Sequence, residues 1–118
     1  MEMALNRIDQ PLYVAKADLF RSLGHPARIR ILELLVEGEQ PVTTLLAATG
    51  LEPSSLSQHL NVLKHTALVE SSRKGNAVTY RVTDPSVGRF LKAARSVLAS
   101  TLGRARQTLE DLENPQPS

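Results

Sequence analysis

Apolar residues along this chain recur at two different periods, and the switch between them marks out its elements. Leu12, Ala15, Leu19, Phe20 and Leu23 keep a helical spacing, which predicts a first helix over Leu12 to Leu23, broken by Gly24-His25-Pro26. Pro26 suits the first position of a helix, where its missing N–H costs nothing, so a second helix is expected from Pro26 to Val36. Ile29, Leu32 and Leu35 form its buried stripe with Ile31 beside them, Arg28, Arg30 and Glu33 are expected outward, and Glu37-Gly38 ends it. A short third helix spans Val42 to Thr49 and is closed by Gly50. A fourth opens at Pro53, carries Leu56, Leu60 and Leu63 at the i, i+4, i+7 spacing of a buried face, and fades near Thr66.

The period then changes. Leu68 to Arg73 and Ala77 to Val82 are short and contain β-branched and aromatic residues, with Lys74-Gly75-Asn76 between them. Gly and Asn tolerate positive φ, so this segment predicts a β-hairpin. After Thr83 a long helix is expected over about 85–113, with Asp84 as its cap and Pro85 as its opening residue. Its apolar positions are Val87, Leu91, Ala94, Leu98, Leu102, Ala105, Leu109 and Leu112, a coiled-coil-like seam with one stutter. Such a seam extends beyond what one small domain can cover, and a second copy of the chain is its natural partner.

The order ααααββα, mainly α with a β-hairpin wing, describes a winged helix-turn-helix. The expected organisation is a flexible arm over 1–10, one domain over 11–113 that includes the long dimerising helix, and a disordered tail over 114–118.

Composition narrows the function classes. With no cysteine, disulfides, thiol redox switches and thiolate metal sites are excluded. No run of eighteen apolar residues exists to span a bilayer, and Met1 to Gln10 lacks a signal-peptide core, so no membrane partner and a cytoplasmic location are expected. A phosphate-binding glycine loop, an HExxH motif and mid-chain carboxylate pairs are all missing, and Ser57 and His59 stand two apart on a helix without facing each other. Enzyme function is not expected.

The net charge of +2 says little, but its distribution is uneven. Met1 to Glu52 holds five basic and seven acidic residues, whereas Pro53 to Val82 holds Lys64, Arg73, Lys74 and Arg81 against Glu70 alone. An ordinary solvated face would also account for four cations, so local structure has to decide. With the leucine stripe of the fourth helix turned inward, Ser54, Gln58, Asn61 and His65 point outward, flanked by Ser55, Ser57 and Lys64. No carboxylate occurs from Pro53 to Val69. A solvated helix more commonly carries Glu–Lys pairs. Small serines permit close approach to a major groove, and Gln and Asn both donate and accept at a base edge. Ser54, Ser55, Ser57, Gln58, Asn61 and Lys64 are therefore the candidate base-reading surface. Arg73, Lys74 and Asn76 at the hairpin tip, with Arg81 on the return strand, are the candidate phosphate contacts.

Three segments carry a family resemblance. Leu23-Gly-His-Pro-Ala-Arg-Ile-Arg-Ile-Leu-Glu-Leu-Leu35 resembles the second-helix signature of the ArsR/SmtB family of bacterial winged-helix regulators. Gly50-Leu-Glu-Pro-Ser-Ser-Leu-Ser-Gln-His-Leu-Asn-Val-Leu-Lys64, with Ala67-Leu-Val69, is similar to its recognition helix and exit, and Gly75 to Val82 to its wing return strand. The resemblance implies a homodimer through the first and last helices, with Leu12, Leu19, Leu91, Leu98, Leu102 and Leu109 at the interface. It places Ser54, Ser57 and Gln58 on DNA-contacting positions. It also implies metal-sensing sites that this chain lacks. A family Cys-x-Cys pair falls on Pro41 and Thr43, and the last helix, which elsewhere supplies histidine ligands, contains none. Neither thiolate nor imidazole is therefore offered to a thiophilic or borderline ion. No metal and no cofactor is expected, which leaves a small molecule or a partner protein as the class of any effector.

The function expected is sequence-specific binding of double-stranded DNA by a homodimeric transcriptional regulator, a repressor on a pseudo-palindromic operator. Two alternatives stay open: a winged-helix protein-interaction module, and an organic-ligand sensor with little DNA affinity of its own.

Overall fold

A computed structural model describes residues 10–114. The arm expected over 1–10 and the tail over 114–118 lie outside the described residues except for Gln10 and Asn114. Among the described residues five helices and three strands follow in the order α1 (Leu12–Leu23), α2 (Pro26–Val36), β1 (Gln40–Pro41), α3 (Val42–Thr49), α4 (Pro53–His65), β2 (Val69–Lys74), β3 (Ala77–Val82) and α5 (Ser86–Glu113).

The helix bounds follow from local chemistry. Between α1 and α2 the His25 imidazole caps the second helix, its Nδ1 accepting from Ala27 N–H at 3.1 Å, with Pro26 as the first helical residue. Gly50, at φ +68°, closes α3 in the left-handed conformation and donates to Leu46 O at 2.9 Å. Asp84 Oδ1 accepts from Ser86 N–H at 2.8 Å at the start of α5.

At the end of α4 the chain forms a Schellman motif, with Leu68 N–H bonding Leu63 O at 2.9 Å and Ala67 N–H bonding Lys64 O at 3.0 Å. The residue at the left-handed position is Ala67, at φ +61°, where glycine would carry no Cβ penalty. Ala67→Gly is expected to stabilise the protein by up to about 1 kcal/mol, the relief of strain being partly offset by the extra freedom of glycine in the unfolded chain. A urea midpoint that fails to rise at constant m would count against this account of the turn.

The wing is an antiparallel hairpin in which Val69 pairs with Val82 and Lys74 with Ala77. Only Gly75 and Asn76 remain as the turn, and the positive φ falls on Gly75, at +63°. The strand β1 was not anticipated from the sequence. It pairs with β3 through Gln40↔Tyr80 and Pro41↔Thr79, making a sheet of order β1-β3-β2. Pro41 is accommodated because β1 lies at the sheet edge, where a missing ladder donor is tolerated.

Leu23, Ile31, Leu32, Leu35, Leu45, Leu56, Leu60, Leu63, Val69 and Val87 form the core of the unit that ends at Val87. Two positions of α2 differ from expectation. Ile29, expected in the buried stripe, is half-buried, while Ile31 beside it is fully buried. Arg28 is half-buried rather than outward, donating from Nε to His59 Nδ1 and from a terminal guanidinium nitrogen to Ser22 O, each at 3.2 Å. A guanidinium with a long stem lies along the protein surface and satisfies its donors there, which a polar/apolar pattern does not register.

Gly88 to Glu113 is the remainder of α5, whose 28 residues extend about 42 Å at the usual helical rise. Among its seam residues Leu98, Leu102, Leu109 and Leu112 are all exposed.

Candidate nucleic-acid interface

The leucine stripe of α4 decides which residues the helix presents. Leu56, Leu60 and Leu63 are buried against neighbouring elements that include α2 and β2. In consequence Ser54, Ser57, Gln58, Asn61, Lys64 and His65 are all exposed, and Ser55 is half-buried. The exposed set is polar and free of carboxylates over one helix length, the surface that the leucine spacing anticipated.

The helix before it is set by the turn: Thr49 Oγ1 donates to Leu45 O at 2.7 Å and accepts from Leu51 N–H at 3.3 Å. Together with left-handed Gly50 this reverses the chain between α3 and α4, so the two helices form the helix-turn-helix.

Behind the exposed face, His59 anchors α4 to α2. It is half-buried, and its partner is the Arg28 guanidinium. With Nδ1 accepting from Arg28, the neutral ring carries its proton on Nε2. The His25 ring lies 4.4 Å away, centroid to centroid, tilted by 53°. Burial first, then the electrostatic influence of the neighbouring His25 ring and of the Arg28 guanidinium, holds the His59 pKa below the usual histidine value. A neutral acceptor is what the bond from Arg28 requires. His65 stands apart, exposed in the last turn of α4. Among the described residues no three of His, Asp and Glu gather as a metal-binding group.

The wing residues divide in two. Arg73 and Asn76 are exposed at and beside the tip, with no acidic partner for Arg73 among the described residues. Lys74 and Arg81 are already in ion pairs: Lys74 Nζ with Glu39 Oε2, and Arg81 Nε with its cross-strand neighbour Glu70 at 2.6 Å. Neither carboxylate was singled out by sequence reasoning. Glu70 was visible as the one acid of the segment, and the hairpin register places it opposite Arg81. Glu39 is 35 positions from Lys74, and only the pairing of β1 with β3 brings it to the wing.

Of the residues expected at a dimer interface, Leu12, Leu98, Leu102 and Leu109 are exposed, and Leu19 and Leu91 are half-buried. Tyr13 and Phe20 on α1 are exposed as well.

Comparison with known proteins agrees with the winged helix-turn-helix fold. The family model for bacterial regulatory proteins of the arsR family matches residues 25–71. The chain is 49% identical over 104 residues to the HTH-type transcriptional regulator Rv0081 of Mycobacterium tuberculosis, covering 87% of this chain and 91% of that one. The crystal structure of Rv0081 superposes with a TM-score of 0.77 at 48% identity, covering 82% of this chain and 98% of the other. The solution structure of the homodimeric winged helix-turn-helix DNA-binding domain of Mb0332 from Mycobacterium bovis, a possible ArsR-family transcriptional regulator, gives a TM-score of 0.69 at 32% identity, covering 75% of this chain and 82% of that one. A biofilm growth-associated repressor of Xylella fastidiosa is 32% identical over 84 residues, 71% of this chain and 74% of the repressor.

Proposed function

Because the chain belongs to the ArsR family of bacterial transcriptional regulators, which bind DNA through a winged helix-turn-helix, we propose that it is a homodimeric repressor that reads a pseudo-palindromic operator. The observation that carries this reading is the exposed, carboxylate-free face of α4. Gln58 and Asn61 contact base edges, and Ser54, Ser55, Ser57 and Lys64 line the approach of the helix to the groove. Arg73 and Asn76 hold the backbone beside it, with Lys74 and Arg81 on the same hairpin held in their ion pairs. Two copies joined along α1 and α5 present two such helices to successive major grooves, about 34–36 Å apart. The homodimeric state of the Mb0332 domain and the repressor relative from Xylella support the assembly and the direction of control.

Selection of bound duplexes from a random pool tests the proposal, and two substitutions separate the roles. Gln58→Ala is expected to relax preference at one base pair per half-site, by about 1–3 kcal/mol of discrimination. Arg73→Ala is expected to weaken binding to every duplex alike and to flatten the slope of log K against log salt by about 0.9 per wing. Selection of no motif, or an exchange of these two phenotypes, would overturn the assignment.

A further inference from the structure

Glu39 lies one residue before β1, yet its carboxylate touches both strands of the wing. Oε2 pairs with Lys74 Nζ, while Oε1 accepts from Thr79 Oγ1 at 3.1 Å and from Ser72 Oγ at 3.5 Å. Ser72 and Thr79 are direct cross-strand partners, and their hydroxyls are 3.0 Å apart. Ser72 and Lys74 are two residues apart on β2 and so share a face of the sheet. One carboxylate thus gathers three side chains from the same side of the hairpin.

The two members of the ion pair are held differently. The Glu39 side chain is 27% exposed and bonded to Thr79, itself a buried residue, whereas the Lys74 side chain is 64% exposed on a flexible stem. The carboxylate therefore keeps its place through the hydroxyls, and the ammonium is the mobile member. The Lys74 hydrogen bond holds the Glu39 carboxyl below its ordinary pKa; burial opposes this, and Thr79 with the charges of Lys74 and Arg81 adds to it. Glu39 is accordingly ionised at neutral pH. An approaching phosphate meets at Lys74 a cation whose charge is already matched by a fixed anion.

Sequence-independent affinity for a duplex grows with the number of phosphates neutralised. Arg73, two residues before Gly75 of the hairpin turn and without an acid of its own among the described residues, remains available to neutralise one. We infer that Glu39 is a tuning residue for DNA binding: by occupying Lys74 it removes one phosphate contact per wing and limits how tightly the protein holds DNA of any sequence. This inference rests on the DNA-binding reading above and assigns to Glu39 a role exerted through Lys74 rather than on the nucleic acid.

Salt titrations of the full chain on a selected duplex and on a scrambled one of equal length provide the test, using the unmodified protein, Glu39→Gln, and Glu39→Gln combined with Lys74→Gln. Glutamine retains an oxygen for Thr79, and thermal melts check that each variant folds. Glu39→Gln is expected to strengthen binding to both duplexes and to steepen the log K–log salt slope by about 0.9 per wing, or about 1.8 per dimer. The double variant should return to the slope of the unmodified protein, because the freed cation has been removed again. An unchanged slope in Glu39→Gln, or a double variant less steep than the unmodified protein, would show that Lys74 is not masked and would refute the inference. If the unmodified protein binds no duplex at low salt, the DNA-binding reading itself fails and takes this inference with it.

Discussion

Replacing Leu98 and Leu102 together by alanine is expected to convert the proposed homodimer into monomers at micromolar concentration. Both side chains lie on the α5 seam and are 58% and 63% exposed in the single chain, too much apolar surface to leave in water along one continuous stripe. In the proposed homodimer a second copy would cover it, and twofold symmetry would make each substitution count twice. Truncating a leucine that is fully buried at such a seam costs about 2–5 kcal/mol, so even one site at the lower end weakens association by roughly 30-fold. Sedimentation velocity from low to high micromolar protein reads the change directly. The monomeric variant should keep the fold of the unit ending at Val87, whose core does not include these residues, while losing tight binding to a two-half-site duplex. A variant that stays dimeric would place the interface elsewhere than α5.

Elements with local causes were legible in the sequence. Pro26 and Gly50 marked helix ends because one lacks an N–H and the other accepts left-handed φ, and both act that way in the structure. The stripe Leu56, Leu60, Leu63 determined the exposed face of α4 because helical geometry leaves no freedom once one side is buried. The features that escaped have partners far along the chain. A two-residue strand at Gln40–Pro41 has no period to detect and exists because β3 offers it a ladder. Arg28 reads as an outward cation until His59, 31 positions later, supplies an acceptor. Lys74 likewise reads as free until the same β1 pairing delivers Glu39.

That asymmetry bears on how charge is counted at an interface. Of the four cations between Pro53 and Val82, two are compensated by carboxylates, one local in the hairpin register and one distant in sequence. Exposed pairs of this kind contribute little to stability, so their main consequence is electrostatic rather than structural. The basic excess of the segment overstates what the free wing presents to a polyanion. The carboxylate-free face of α4 does not depend on that excess, since its polarity comes mostly from hydroxyl and amide groups.

The orientation of α4 itself is best challenged by two neighbouring substitutions with opposite expected outcomes. Leu60 is 2% exposed and sits midway along the leucine stripe that ties the helix to its unit. Leu60→Ala is expected to cost about 2–5 kcal/mol, lowering the melting temperature by on the order of 10–20 °C. That is a large share of the 5–15 kcal/mol by which a domain is usually stable. Gln58, two positions earlier and exposed, makes none of those contacts, and its truncation should change stability by no more than about 0.5 kcal/mol. At a temperature where Leu60→Ala remains folded, its base preference should match that of the unmodified protein, because the surviving helix still presents the same polar face. Gln58→Ala should show the reverse, an unchanged melt with a relaxed preference at one position. Calorimetry and duplex selection on the same pair of proteins decide the matter. If Gln58→Ala lowers the melt as Leu60→Ala does, the leucine stripe is not what sets the helix, and the surface assigned to DNA is part of the core.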